Sequence, residues 1–258
     1  MGHALHPSKI AMYLMYACAF FTPASGVFAQ ISGPEASQKP PLALAPFGSS
    51  GSTGINPAWR LSGLPGKSTA PVTRFEFNTS SGEPALQLNT DKSYGVLAHD
   101  WTGPAPAELS WRWRVDQALE QADLASKKGD DAALKVCVMF DQPLADIPLL
   151  QRATLALARA ATGQAVPHAT VCYVWDKHYP AGTSGSNPYS ARVRYIVLGG
   201  PPLGQWTTQR RRVSEDFQRL FGVESPVTPR VTTVAVGADS DNTLGRSVAY
   251  LSQLRWLP

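Results

Sequence analysis

The stretch E-L-S-W-R-W-R-V-D, Glu108–Asp116, decides the fold. Leu109, Trp111, Trp113 and Val115 alternate with Ser110, Arg112, Arg114 and Asp116. A period of two over eight residues marks a strand with one face in a core and the other in water. The tryptophans therefore point inward and the arginines outward.

Working outward, the same texture recurs. VTRFEFN alternates Val72, Arg74 and Glu76 against Thr73, Phe75 and Phe77, and PALQLN and SYGVLAHDW follow across the turn signal NTDKS. LKVCVMFD places Leu134, Val136, Val138 and Phe140 on one face; ATVCYVWD, ARVRYIVLGG, RVTTVAVGAD and SVAYLSQLRWL complete about ten strands. Two segments read as helices. In DIPLLQRATLALARAATG, Asp146 is placed to cap, Pro148 suits the first turn and Gly163 stops the run. Ile147, Leu150, Thr154, Leu157 and Ala161 form its expected apolar stripe. VSEDFQRLFG is a shorter helix, entered through QWTTQRRR and closed by Gly222. Strands and helices do not alternate regularly, which excludes a doubly wound parallel sheet. The expected class is all-β: an antiparallel β-sandwich of jelly-roll or galactose-binding-like type with two short helices.

The first 58 residues have a different composition. A polar start with Lys9, the twelve-residue apolar run IAMYLMYACAFF, and Val27 and Ala29 in an A-x-A-like arrangement read as a signal peptide, residues 1–29, leaving Gln30 first. The alternatives are a retained anchor, or a lipid anchor at Cys18, which bulky Tyr16 disfavours. Loss of Lys9 takes the formal charge from +4 to +3. The location expected is periplasmic or secreted, with no membrane insertion after cleavage. Residues 30–58, rich in Pro, Gly, Ser and Ala, read as a flexible linker, and residues 59–258 as one domain.

Several chemistries are excluded by motif. The chain has no G-x-S-x-G, H-E-x-x-H or C-x-x-C. GLPGKS resembles the end of a phosphate loop, but Leu61 stands where the first glycine belongs. The basic run Arg210-Arg211-Arg212 is a solvated edge rather than a nucleic-acid stripe, which would need wider charge with interleaved aromatics. His99, His168 and His178 show no ligand spacing. Cys137 and Cys172 bridge if their strands are neighbours, and otherwise are two small buried hydrophobes.

Four polar features remain. They are the Arg112/Arg114 face, KKGDD at Lys127–Asp131, the loop from Asp176 through Asn187 and Tyr189 to Arg192 and Arg194, and GADSDNTLGR with Asp239, Asp241 and Asn242. Arginines beside tryptophan and tyrosine suit a planar polar ligand, so Arg112, Arg114, Asp176, Asn187, Tyr189 and Arg192 form the expected ligand set, with Arg112 and Arg114 on the same concave sheet as Arg192 or Arg194, close to Asp176 and Asn187. Asp239, Asp241 and Asn242 offer oxygens for half a calcium site, the one cofactor considered, or simply form a hydrogen-bonded turn.

LSWRWRVD, KKGDDAALKVCVMFD, CYVWD, NPYSARVRYIVL, LGQWTTQRRRVSEDFQRLFG and VAVGADSDNTLGRSVAYLSQLRW together resemble the domain of unknown function 3047 family, from about Trp59 to the C-terminus. The resemblance implies a bacterial exported protein with a fold similar to galactose-binding-like sandwiches, and it supplies no activity. This chain departs from the pattern after DNT, where the usual glycine is displaced to give DNTLG. The leading reading is a non-catalytic module for a glycan or other envelope component. A structural envelope protein is one alternative. The other is a carbohydrate-active enzyme using two carboxylates among Asp141, Asp176 and Asp239.

Overall fold

The computed structural model describes residues 43–49, 54–62, 69–162 and 166–258. The proposed cleavage site, Cys18, Gln30, the GLPGKS turn and Gly163 lie outside the described residues. Two sheets face each other. The larger contains β1 (Trp59–Ser62), β4 (Tyr94–Gly103), β11 (Val231–Asp239), β6 (Ala132–Phe140), β7 (Ala169–Val174), β9 (Ser190–Val197) and β8 (Ser184–Asn187), in that order. The smaller contains β10 (Thr207–Arg211), β5 (Glu108–Gln117), β12 (Arg246–Leu257), β3 (Ala85–Asp91) and β2 (Arg74–Asn78). The β7–β9 pair is parallel and the other strand pairings are antiparallel.

The alternation in β5 builds the sandwich. Leu109, Trp111, Trp113 and Val115 are all buried between the sheets, and Trp111 meets Tyr173 of the opposite sheet at 5.4 Å between ring centroids. Leu86 and Leu88 of β3, and Leu134, Val136, Val138 and Phe140 of β6, fill the same layer. The larger sheet is also covered on its outer side, where Cys137, Met139, Cys172, Val174, Tyr195 and Leu124 form a second apolar layer beneath loops. Register places Cys137 opposite Cys172, and the two form a disulfide.

Three expectations change. Part of the segment read as linker is docked: Leu44 and Phe47 are buried, Trp59 Nε1–H donates to the Ala45 carbonyl, and the Phe47 and Trp59 rings lie 4.7 Å apart. The two anchors stand among Pro and Ala, where no period exposes them. Thr207–Arg211 is a strand, although its arginine run masks the β-branched pair; Ser184–Asn187, read as loop, is an edge strand. Finally, α1 (Leu149–Thr162) packs by a different face. Leu155 and Ala158, with Ile147 ahead of the helix, are its buried contacts, while Leu150, Thr154 and Leu157 are exposed. Asp146 lies in a preceding 3-10 turn, Leu144–Asp146, and its carboxylate accepts from Ser225 Oγ. The second helix is α2 (Val213–Phe221), with Gly222 at its end.

Candidate functional site

The polar residues fall into three groups instead of one. The first is the outer face of the smaller sheet. Register aligns Arg114, Tyr250, Gln87 and Glu76 in a row across β5, β12, β3 and β2. Beside it, Thr208, Arg112 and Ser252 are paired across β10, β5 and β12. The Arg112 guanidinium lies over the Trp206 ring at 5.3 Å, and that of Arg114 over Tyr250 at 5.6 Å. Arg114 also holds Asp116 bidentately, at 2.5 and 2.8 Å, so the first cause of its raised pKa is that hydrogen bond.

The β2–β3 turn folds onto this face, with Gly82 at φ 91°. Glu83 accepts from Arg112 and from Ser252. The Ser81 carbonyl accepts from Arg114 Nη1 and Trp206 Nε1, each at 3.2 Å. A donor-to-acceptor ladder runs from Asn78 through Gln87 to Asn89, at 2.6 and 3.1 Å. Asn89 Nδ2 has no partner among the described residues. The arginines, Glu83, Asp116, Trp206, Gln87 and the asparagines are half-exposed, whereas Tyr250 and the Asn89 Nδ2 atom are buried, so the face is oriented from within and open at its charged positions.

The second group corrects the shared-sheet expectation. Arg192 and Arg194 lie on β9 of the larger sheet, apart from Arg112 and Arg114. They have the strand parity of Ile196, which faces the core, so they turn toward α2 and both stack on Phe221, at 4.9 and 4.1 Å. Arg192 is 3% exposed. Its donors reach Glu224, Gln142, Gln151 and the His168 carbonyl. Arg194 shares Glu224 and donates to the Leu220 carbonyl. Burial alone would push the Glu224 pKa up, but the bonds and charges of the two arginines outweigh it and hold the carboxyl below its ordinary value. With its donors turned inward in this way, Arg192 is part of a packing network.

The third group gathers KKGDD, the Asn187–Tyr189 turn and GADSDNT at one end of the larger sheet. Asp131 takes four donors: the Asn242 amide N–H, Asn242 Nδ2, the Thr243 N–H and Thr243 Oγ1, at 2.6–3.3 Å. Asn187 Nδ2 donates to Asp130 at 2.7 Å, and Tyr189 donates to the Lys127 carbonyl at 2.8 Å. Asp239, fully buried, accepts from the Ala132 N–H at 2.9 Å and from Lys135 Nζ at 2.8 Å. Burial raises its pKa despite the ammonium. Burial and nearby Asp130, Asp241 and Asp131 push Tyr189 up to about 12. Asp176 accepts from the His178 and Tyr179 N–H groups and so shapes its own turn.

Oxygens of Asp131, Asp239 and Asp241 lie within 4.8 Å of one another. Of the expected calcium ligands, Asp239 and Asp241 thus come together, while Asn242 donates its amide nitrogen to Asp130 and Asp131 and its Oδ1 faces the Tyr189 hydroxyl. The Lys135 ammonium already provides a positive charge on Asp239. The adjoining cavity, of about 30 Å³ and lined by Lys135, Asp239, Tyr195 and Cys172, has room for a water molecule and little more. Among the candidate acids, Asp141 follows β6 at the end opposite Asp239, since β6 and β11 run antiparallel with Ala132 against Asp239. Eight residues of strand separate those ends, about 26 Å, too far for the two to flank one glycosidic bond.

A family model described as a protein of unknown function, DUF3047, matches residues 57–255. The chain belongs to the DUF3047 family. No curated protein matches. Among solved structures the chain is similar to the xyloglucanase domain of NopAA, a type three effector from Sinorhizobium fredii, in complex with cellobiose. That likeness has 9% identity and a TM-score of 0.41, over 82% of this chain and 95% of that one. Within this DUF3047 chain, reading the sequence missed Glu83, Trp206 and Tyr250. Tyr250 was legible, because it alternates with the core-facing Ala249 and Leu251 on one strand. Glu83 was not, because only the fold of the turn brings it to Arg112.

Proposed function

We propose that the chain is a non-catalytic binding module whose ligand is a glycan or other polar component of the cell envelope, held on the outer face of the smaller sheet. The observation that carries this is the Arg114–Tyr250–Gln87–Glu76 row beside Arg112, Glu83 and the half-exposed Trp206 ring. The row spans three inter-strand steps, about 14 Å, enough for a short oligosaccharide. Paired guanidinium and carboxylate groups hold each other's direction while leaving outward lone pairs and N–H groups for hydroxyls. Export to the periplasm or beyond is part of the proposal and rests on the apolar segment at residues 10–21.

The test is a glycan array with the full chain, followed by titration of any hit. Trp206→Ala should weaken binding about fivefold, since an aromatic contact is worth about 1 kcal/mol, and Gln87→Ala should weaken it too. Hits that neither substitution moves, or no hit in any polysaccharide class, would sink this reading. The second reading, a structural envelope protein, is favoured by the saturated Asp131 network, and an array without hits would leave it standing.

A further inference from the structure

The corner formed by α1, the 3-10 turn and the loop after α2 is unlike the rest of the surface. Among the described residues, Leu144, Leu149, Leu150, Leu157, Val223 and Val227 are large aliphatic side chains exposed there. They are drawn together by contacts beneath them. Asp146 accepts from Ser225, and Arg192 bonds both Gln151 and Glu224. Leu150 is 83% exposed and Leu157 72%.

At about 100° per residue, Gln151, Leu155 and Ala158 share the inward side of α1, as their contacts show. Leu150, Ala153 and Leu157 lie on the opposite side, with Leu149 and Ala160 completing an apolar arc. Exposed Arg159 flanks one edge of that arc, while Arg152 on the same edge is turned back onto the Ile147 and Ala145 carbonyls. The helix has no aspartate or glutamate in its fourteen residues. Nearby, Asp146 and Glu224 are turned inward onto Ser225 and the two arginines; Asp141 is an acid that remains exposed at this end.

An apolar arc bordered by an exposed arginine and carrying no acid is complementary to an anionic bilayer: leucines enter the acyl boundary and Arg159 reaches back to headgroups. A second copy of the same helix offers no carboxylate to answer that arginine. We propose that this corner docks the protein on the surface of a membrane containing anionic lipid. The helix lies in the interface and does not cross it; no helix among the described residues is long and apolar enough to do so.

The test is co-sedimentation of the full chain with vesicles of phosphatidylglycerol and phosphatidylcholine, and with phosphatidylcholine alone. Retention should be stronger on the anionic vesicles. Leu150→Ser with Leu157→Ser should reduce it about tenfold or more, and Arg159→Glu should reduce it with less effect on the zwitterionic vesicles. The substituted side chains are exposed, so the thermal midpoint should not move. Retention that survives the double substitution traces to another part of the chain, such as residues 10–21, and overturns the proposal. So does a chain that ignores both vesicles yet sediments as a dimer that the same substitutions dissociate, since the face then belongs to a second copy.

Discussion

Leu244 shows how a single residue carries a local cost. It adopts φ 55° and is exposed. A side chain with a Cβ costs about 1–2 kcal/mol in that left-handed region. The family resemblance places a glycine immediately after DNT; here leucine stands there and the glycine follows it. Glycine relieves that left-handed strain, so Leu244→Gly should stabilise the protein by about 1 kcal/mol, read as a raised urea midpoint with unchanged slope. Glu224 poses the opposite case. One carboxylate answers Arg192 and Arg194, both largely buried. Glu224→Gln should cost about 3–5 kcal/mol, because it strands a buried charge. Its depressed pKa also sets a sign. Its contribution is present above the ordinary Glu value, about 4.3, and is lost as pH falls through the lower folded value. The wild-type melting temperature should therefore drop in that acid window, and the Glu224→Gln curve should be flatter there.

At the scale of elements, period two was the reliable signal and helical phase was not. β5 and β6 each declared their buried face because alternation with arginine, or continuity of Val and Leu, admits one answer once a core exists. In α1 the sequence offers two apolar arcs, and the one marked by the larger leucines is the exposed one; Leu155 and Ala158 won because the neighbouring Arg192 network draws Gln151 inward. The docked segment at residues 43–49 was hidden for another reason: its anchor is a distant histidine. His99 Nε2 accepts from the Ala45 N–H at 3.1 Å, while Nδ1 bonds the Asp100 carbonyl at 2.7 Å. This fixes the proton on Nδ1. Burial lowers the His99 pKa, against the pull of Asp100, whose carboxylate also holds Arg60. A depressed folded pKa means that the stabilisation is complete above the ordinary His value of 6.5 and fades as pH falls below it. Hydrogen exchange of residues 43–49 should therefore accelerate, after correction for intrinsic rates, between pH 7 and pH 5. Equal protection at both values would show that His99 does not hold the segment.

For the whole molecule, the proposed binding face and the disulfide-bonded layer lie on different sheets. The sequence displayed four polar features but could not say which shared a sheet, because that depends on strand order: β5 and β9 look alike as alternating Arg strands, and topology sends them to different layers. The consequence can be tested at the disulfide. Cys137 and Cys172 are 35 residues apart in sequence, and the loop they close contains α1 and the 3-10 turn. Constraining a loop of that length in the unfolded chain is worth about 3–4 kcal/mol. Cys137→Ala with Cys172→Ala should lower unfolding free energy by about that amount. The cysteines face the outer layer of the larger sheet, whereas the proposed ligand face is the outer side of the smaller one, with the whole Trp111–Tyr173 core between them. Any glycan titrated on the folded double variant should thus bind with the wild-type constant, while Trp206→Ala should show the reverse pattern, weakened binding with little change in unfolding. A double variant that keeps its stability would mean that the crosslink's constraint on the unfolded chain contributes nothing net. One that folds but loses the ligand would place recognition on the larger sheet, beside Lys135 and Asp239.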